Sequence, residues 1–369
     1  MTADFFAGFF APWLIFALIY VLHLLLPARR VAGYVPDERT GRPLEYRLNG
    51  LFVCLLVIAL WLLFGAMDEP GWNWLNWDWL YLHRASALAG ACTLGILYTL
   101  VVVLRAPPTG ATLASDLFFG RAANPRHPGE VDAKMYLYMA GATLLSLNLL
   151  SAIAFHRNTF GEAANPGVYL HAALFAWFVF DYLFFERVHL YTYDLFAERV
   201  GFKLGWGCLV FYPYFYAIGL WGTADLGEPW IIERLGWMWL ALSAVVFFTG
   251  WVLARGANLQ KYRFKRFPGR PFLGRAPVTL RGGNLQLLAG GFWGVSRHIN
   301  YLGEILMATG LALALGHLAN PWPWLYPLYY LLLLIPRERD DDRRCAEKYG
   351  PLWDDYRARV PYRIIPRIY

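Results

Sequence analysis

The sequence predicts an all-α, polytopic membrane protein with about ten transmembrane helices and a C-terminal cytosolic cap. Composition is the first reason. The 369 residues are 58% hydrophobic and 16% charged, with a mean hydropathy of +0.37, whereas a soluble domain has about 25% charged residues. The second reason is a series of apolar runs near the roughly 20 residues that cross a hydrocarbon core about 30 Å thick. These observations exclude a soluble enzyme, a disordered chain and a nucleic-acid-binding protein as leading interpretations.

Nine apolar segments are predicted to cross the membrane, and a tenth is weaker. In lipid each backbone polar group needs a partner within its own segment, so these long, non-alternating runs are expected to be helices. The weaker piece, 285–296, contains Gly290, Gly291 and Gly294 and is expected to be a short or re-entrant half-span. The nine segments are 5–26, 48–66, 85–104, 135–155, 168–185, 205–222, 235–254, 300–317 and 321–335.

Lysine and arginine are concentrated in particular connecting segments. The positive-inside rule places such segments in the cytoplasm. The segments 67–83 and 221–233 have almost no basic residues and are expected on the opposite side. The basic segments are 27–49, 105–134, 186–204, 255–284 and 336–369.

The first polar region, 255–265, directly follows a predicted span. Its cations are expected at the membrane surface, where the simplest interpretation is an anchor for lipid headgroups. Lys261 and Lys265 are also four residues apart, so they share one helical face and suit an anion clamp for phosphate groups. Both interpretations stay open from the residues alone.

The second polar region, 290–304, places ionisable groups within or beside apolar sequence. Each such charge costs about 2.5–3.5 kcal/mol even on the lenient insertion scale, so this density favours a functional site over a satisfied structural network. Trp293 and Tyr301 add flat faces that suit stacking on a ring. The polar side chains are Arg297, His298, Asn300 and Glu304.

The third region is the charged tail, 336–369. A solvated, salt-bridged helix is the simple interpretation. Trp353, Tyr356 and Val360 are too apolar for a loose tail, so we expect it to fold back as a cap over the second region. A cationic clamp, a polar pocket and a cap together favour a phosphorylated cofactor that reaches in from the cytosol. No Gly-x-Gly-x-x-Gly follows a strand, which argues against a Rossmann domain, and no metal spacing is visible.

Several motifs in order resemble the sterol reductase family, which comprises the Δ14, Δ7 and Δ24(28) sterol reductases and the C-terminal domain of lamin B receptor. One signature is similar to Asp116 through Arg126, and a second to Arg337 through Tyr356. The resemblance covers nearly the whole chain. Further matching elements are Arg255 to Asn258, Trp293-Gly294, Arg297-His298, Asn300-Tyr301 and the ending Val360-Pro-Tyr-Arg-Ile.

The resemblance implies NADPH-dependent reduction of a sterol double bond by one membrane-embedded domain, 1–369, with a cytosol-open cofactor pocket in 255–369. Among the subfamilies, 255–304 most resembles the Δ14 reductases and lamin B receptor, which implies C14=C15 of a Δ8,14-sterol as the reduced bond. The family's cofactor site, carried over residue by residue, falls on Lys261, Lys265, Leu288, Trp293, Asn300, Tyr301, Arg337, Asp341, Cys345, Ala346, Glu347, Lys348, Tyr349 and Tyr356.

The expected chemistry needs an acid as well as a hydride donor. An alkene without an electron-withdrawing group is not electrophilic, so a proton must be delivered before hydride is accepted. A buried carboxyl group can stay protonated because desolvation raises its pKa. Glu304 is therefore the leading candidate acid, with Tyr301, Tyr216 and Asp181 as rivals.

Three alternatives stay open at this point. The bond could be reduced by a Δ7 or Δ24(28) type of enzyme instead. Isoprenylcysteine carboxyl methyltransferases look similar in the last third, although Ile299 here replaces the proline of their Arg-His-Pro-x-Tyr element. A sterol-binding membrane protein without catalysis is the third. The expected partners are a sterol from the bilayer and membrane lipids, with no nucleic acid, and the oligomeric state is open. A bacterial inner membrane is favoured over the endoplasmic reticulum.

Overall fold

The structure is a computed structural model that describes residues 3–37, 40–66 and 76–369. The described part is mostly helical and divides into two compact units, Met1–Glu228 and Pro229–Tyr369. The segment 67–83, which has almost no basic residues and was predicted to face away from the cytoplasm, lies mostly outside the described residues.

The helices of the first unit are α1 (Ala3–Leu25), α2 (Gly50–Gly65), α3 (Trp79–Leu82), α4 (Arg84–Arg105), α5 (Leu113–Phe119), α6 (Ala133–Phe160), α7 (Pro166–Phe184), α8 (Glu186–His189), α9 (Tyr193–Phe196), α10 (Phe202–Trp206) and α11 (Ile218–Trp221). A π-helical stretch, Gly207–Phe215, connects the last two. Its strands are β1 (Arg29–Pro36), β2 (Pro43–Leu48), β3 (Arg126–His127) and β4 (Val131–Asp132), paired as two antiparallel hairpins.

The second unit contains α12 (Trp230–Leu235), α13 (Trp237–Arg266), β5 (Thr279–Gly282), β6 (Leu285–Leu288), α14 (Ile299–Ala314), α15 (Trp322–Tyr349) and α16 (Pro351–Arg359). A 3₁₀ turn, Gly291–Gly294, lies between β6 and α14.

Five helices among the described residues are long and apolar enough to cross a membrane. They coincide with five of the predicted segments and support an integral membrane protein. They are Ala3–Leu25, Arg84–Arg105, Ala133–Ala163, Pro166–Phe184 and Trp237–Arg266.

Other predicted segments are helical but shorter or interrupted. The segments 48–66 and 300–317 contain apolar helices of 16 residues, α2 and α14. The segment 205–222 is divided among a short α-helix, the π-helical stretch and another short helix, with Pro213 inside. Proline removes a backbone donor at this position, although α1 and α15 stay helical around the internal prolines Pro12, Pro327 and Pro336.

The segment 285–296 is not a helical half-span, so that prediction is wrong. It contains strand β6 and the 3₁₀ turn, and β6 pairs with β5 in an antiparallel hairpin. Gly283 closes the hairpin at φ +55°, a conformation that favours glycine. Apolar composition alone did not separate a short strand from a short span. The three short hairpins also make all-α too simple a description of the fold.

The predicted span 321–335 is only the first half of a longer helix. α15 continues from Trp322 to Tyr349, so its apolar first half and charged second half form one element. Charged residues late in the helix are therefore held in a fixed rotation relative to its apolar face.

Small residues bring α13 and α14 together. A Cβ on Gly303 would lie 2.5 Å from the backbone of Gly250 and Ala254, and one on Gly310 would lie 2.7 Å from the Phe247 nitrogen. Such close backbone approach is how apolar helices associate within a membrane. The packing fixes the start of α14, where several of the predicted site residues lie, against the end of α13.

Candidate functional site

Trp293 is held through both its side chain and its backbone. Its indole Nε1 donates a 2.9 Å hydrogen bond to the carbonyl of Ala257 on α13. Tyr356 on α16 donates a 2.7 Å hydrogen bond to the Trp293 carbonyl. The ammonium of Lys261 lies 5.0 Å from the centre of the Trp293 ring, within cation–π range. Three predicted cofactor residues are thus brought together.

Gln260 braces the 3₁₀ turn that carries this tryptophan. Its Oε1 accepts a 3.0 Å hydrogen bond from the Phe292 nitrogen, and its Nε2 donates to the Gly290 carbonyl at 3.2 Å. Gly291 between them has φ +66°. Gln260 was not predicted as a site residue, because nothing in the basic region 255–265 distinguishes a bracing amide from a solvated one.

Arg297 belongs to the framework of the second unit. Its guanidinium donates to the carbonyls of Val360 at 2.9 Å and Pro361 at 3.1 Å, and its backbone nitrogen donates to Tyr362 at 3.0 Å. The neighbouring His298 nitrogen donates to the Arg363 carbonyl at 2.8 Å. The tail therefore folds back onto the 297–298 segment, as its apolar residues predicted.

Asp342 connects three elements of the second unit. It accepts a 3.1 Å hydrogen bond from the indole of Trp353, and its carboxylate oxygens lie 3.8 Å from the Arg297 Nε and 3.9 Å from Arg357. Buried Glu338 performs a similar task by accepting two 3.1 Å hydrogen bonds from Arg363. Neither carboxylate was selected from the sequence, since an acidic run gives no sign of which members point inward.

A mixed-charge cluster follows one face of α15. Asp341, Cys345 and Lys348 are spaced four and three residues apart, which places them on one side of the helix. Lys265 interacts electrostatically with all three, and Lys261 interacts with Cys345. Burial raises the pKa of the Cys345 thiol to about 12, so it stays a protonated thiol at neutral pH and is no nucleophile.

The remaining predicted cofactor residues differ in their surroundings. Leu288 packs beside the anchored indole, and Ala346 and Tyr349 pack against the buried aromatic side chains of α16. Arg337 is half-buried one turn before the mixed-charge cluster. Glu347 is exposed and lies on the opposite face of α15, so the structure does not bring its side chain to the others.

A deeply buried imidazole, that of His298, lies directly before α14. The imidazole of His298 is 3% exposed, and its ring is stacked on Tyr301 at 4.9 Å with an angle of 19° between the planes. Burial lowers the pKa of His298 to about 3, with nearby Lys261 adding to the effect, so the ring is neutral. Within the described residues its Nε2 has no hydrogen-bond partner, and neither has the Oδ1 of Asn300.

Glu304 lies one turn beyond Tyr301 on α14 and is half-buried. Residues three apart share one helical face, so Glu304 and Tyr301 lie on the same side of α14. The rival acids Asp181 and Tyr216 belong to the first unit, on α7 and directly after the π-helical stretch.

The signature at 116–126 also lies in the first unit, and its side chains hold loops together. Asp116 is buried and forms a 2.7 Å ion pair with Arg121, and it accepts a 2.5 Å hydrogen bond from Thr109. Arg126 donates to the carbonyl of Glu45 at 2.7 Å. Asp116, Arg121 and Arg126 of this signature therefore stabilise the loops of the first unit.

The ergosterol biosynthesis ERG4/ERG24 family matches residues 4–369 of this chain. The Delta(14)-sterol reductase of Arabidopsis thaliana is 32% identical over 374 residues, covering 96% of this chain and 95% of that protein. The bacterial Delta(14)-sterol reductase of Methylotuvimicrobium alcaliphilum is 32% identical, covering 98% and 83%. A Delta(14)-sterol reductase of Mus musculus is 31% identical, covering 97% and 86%. Because the family match extends from one end of the described chain to the other, the protein belongs to the ergosterol biosynthesis ERG4/ERG24 family.

Proposed function

We propose that this protein is an NADPH-dependent reductase of the C14=C15 double bond of a Δ8,14-sterol. Its family membership makes it a sterol reductase, an oxidoreductase of sterol biosynthesis. The observation that carries the finer proposal is the name Delta(14)-sterol reductase on relatives about 30% identical over nearly their whole length. The same match favours reduction over the methyltransferase alternative.

The described residues fit NADPH in three respects. Lys261 and Lys265 supply cationic donors of the kind that bind phosphate groups, including the 2′-phosphate that distinguishes NADPH from NADH. The anchored indole of Trp293 offers a flat face for a ring. Two polar atoms at the start of α14, on His298 and Asn300, have no partner among the described residues and suit a polar ligand.

When bound, NADPH supplies a hydride to carbon. The protein's own part is to deliver a proton to the other carbon of the alkene, which leaves a cationic sterol carbon able to accept that hydride. We propose Glu304 as the proton donor, because it lies one turn from Tyr301 on the helix that begins with the polar atoms. The apolar side chains of the second unit exclude water, so that the cationic carbon is not captured by it.

We propose further that the whole chain forms one reductase domain, in which the nine predicted segments other than 285–296 cross the membrane. Residues 255–369 then carry the cofactor pocket on the cytoplasmic side, with the tail 336–369 as its cap. The arginine-rich basic segments support this orientation through the positive-inside rule. The sterol enters from the bilayer, and a bacterial inner membrane is the favoured location.

The test is turnover of a Δ8,14-diene sterol by the detergent-purified protein with NADPH, followed through cofactor oxidation and mass spectrometry of the sterol. A 14,15-reduced product is expected. Reduction of a Δ7 or Δ24(28) sterol instead would reassign the bond. Binding of NADPH without turnover of any of the three sterols would replace catalysis by a sterol-binding role.

A further inference from the structure

His298 is buried in a way that a purely structural histidine does not need. Only 3% of this residue is exposed to solvent, yet its Nε2 has no hydrogen-bond partner among the described residues. A buried polar atom without a partner carries a cost that native structures usually avoid. His156 in the first unit shows the ordinary solution, since its two ring nitrogens pair with the Ala224 carbonyl and the Asn165 nitrogen.

Burial and the nearby cationic side chains keep the imidazole of His298 neutral. Lys261, Arg297 and Arg363 are close enough to oppose a charge on the imidazole, whereas Asp342 favours one. A neutral imidazole carries one N–H and one lone pair, so Nε2 can act as a donor when Nδ1 is the acceptor. Its ring cannot turn freely, because it is stacked on Tyr301.

Asn300 provides the complementary atom two residues along the chain. Its Oδ1 is buried without a hydrogen-bond partner in the described part of the chain. Each of the two residues therefore has one buried polar atom without a partner, and both residues lie at the start of α14. A primary carboxamide presents the matching pair, a carbonyl oxygen and an N–H, on one planar group.

We propose that His298 is a cofactor-binding residue, which donates from Nε2 to the carboxamide oxygen of the nicotinamide while Asn300 accepts from the carboxamide N–H. The inference rests on the proposed use of NADPH and extends it, because it assigns recognition of the nicotinamide carboxamide to His298. Pairing both orphaned atoms removes the cost of their burial only when the nicotinamide is bound.

The experiment measures affinities of the detergent-purified full chain for three ligands in the absence of sterol. NADPH has the complete carboxamide, and its 3-acetylpyridine analogue keeps the carbonyl but lacks the N–H. 2′-Phospho-ADP-ribose lacks the nicotinamide altogether. The variants are His298→Phe, which keeps a flat ring for the stack on Tyr301, His298→Gln, which restores a donor, and Asn300→Ala.

Loss of a single hydrogen bond is expected to weaken binding by about three- to tenfold. His298→Phe should weaken NADPH and the acetylpyridine analogue equally and leave 2′-phospho-ADP-ribose unchanged, and His298→Gln should recover part of the loss. Asn300→Ala should abolish the preference of the unmodified protein for NADPH over the analogue. Thermal unfolding of each variant verifies that the fold is retained.

Other results overturn the proposal. If His298→Phe lowered the affinity for all three ligands equally, His298 would have a structural role. If the three affinities were unchanged, His298 would not bind the cofactor. If the variant raised the KM for sterol while the affinity for NADPH was unchanged, the histidine would contact the sterol instead. The unmodified protein tests the cofactor assignment separately. If it did not bind NADPH but bound NADH or S-adenosylmethionine, the proposed use of NADPH would be wrong, whereas a wrong role for His298 would leave NADPH binding by the unmodified protein intact.

Discussion

The hydroxyl of Tyr356 donates a 2.7 Å hydrogen bond to the carbonyl of Trp293, which joins α16 to the 3₁₀ turn. Both side chains are buried. The indole is in turn bonded to Ala257 on α13. One tyrosine hydroxyl thus connects the folded-back tail to the residue proposed to face the cofactor ring, and it sets the position of that ring's binding surface.

Tyr356→Phe should loosen that surface. The Trp293 carbonyl would lose its partner, and a buried unsatisfied group costs about 1–3 kcal/mol. We expect a lower melting temperature and a KM for NADPH that rises more than the KM for sterol. Tyr20→Phe is the matched control, because Tyr20 donates a 2.7 Å hydrogen bond to the Pro128 carbonyl in the first unit. If both variants changed the two KM values alike, the bond would have no special link to the cofactor.

Removal of both cations in Lys261→Ala, Lys265→Ala should weaken NADPH binding about tenfold or more, since hydrogen bonds to charged groups are worth about 1.5–3 kcal/mol. The KM for sterol should change little. Lys203→Ala serves as the control, because Lys203 pairs with Glu198 at 2.7 Å in the first unit. A double variant whose affinity for NADPH matched that of the control would contradict the phosphate clamp and favour lipid headgroups as the partners.

Glu304→Gln should abolish turnover while NADPH affinity is unchanged. The amide keeps the size of the side chain but has no acidic proton to deliver. The matched comparisons are Asp181→Asn and Tyr216→Phe, which test the rival acids in the same assay. Full turnover by Glu304→Gln, together with loss of turnover in one of the other two, would transfer the role of proton donor to that residue.

Glu186 predicts a pH dependence of stability. Burial raises its pKa to about 8 from 4.5, although its 3.2 Å contact with the Gly50 nitrogen favours the ionised form. The folded protein therefore holds this proton more tightly than the unfolded chain does. Its contribution to stability is complete below about pH 4.5 and is lost as the pH rises through about 8.

The measurement is thermal unfolding in detergent across that pH range, with Glu186→Gln as the comparison. The variant cannot ionise, so the part of the pH dependence that Glu186 causes should disappear. An identical pH profile for both proteins would show that this carboxyl group is not the origin.

The membrane helices were easier to predict from the sequence than the residues that hold the site together. Long apolar runs such as α6 and α13 depend on composition, which is visible along the chain. The strand β6 was not predicted, because a short apolar run with glycines is too short to show whether its hydrophobic periodicity is that of a strand or of a helix. Asp342 and Gln260 were missed because their importance comes from tertiary contacts that no local pattern encodes. His298 was noticed for its setting, but its unpartnered nitrogen becomes visible only in three dimensions.

The unbroken course of α15 has a consequence for evolution and for protein engineering. Its apolar half and its charged half share one helical phase. Inserting a single residue between the halves would rotate Asp341 and Cys345 by about 100° and carry them away from Lys265. An insertion of seven residues, nearly two whole turns, would restore the rotation but displace both by about 10 Å along the axis. The length of this helix is therefore as tightly constrained as the identity of its side chains.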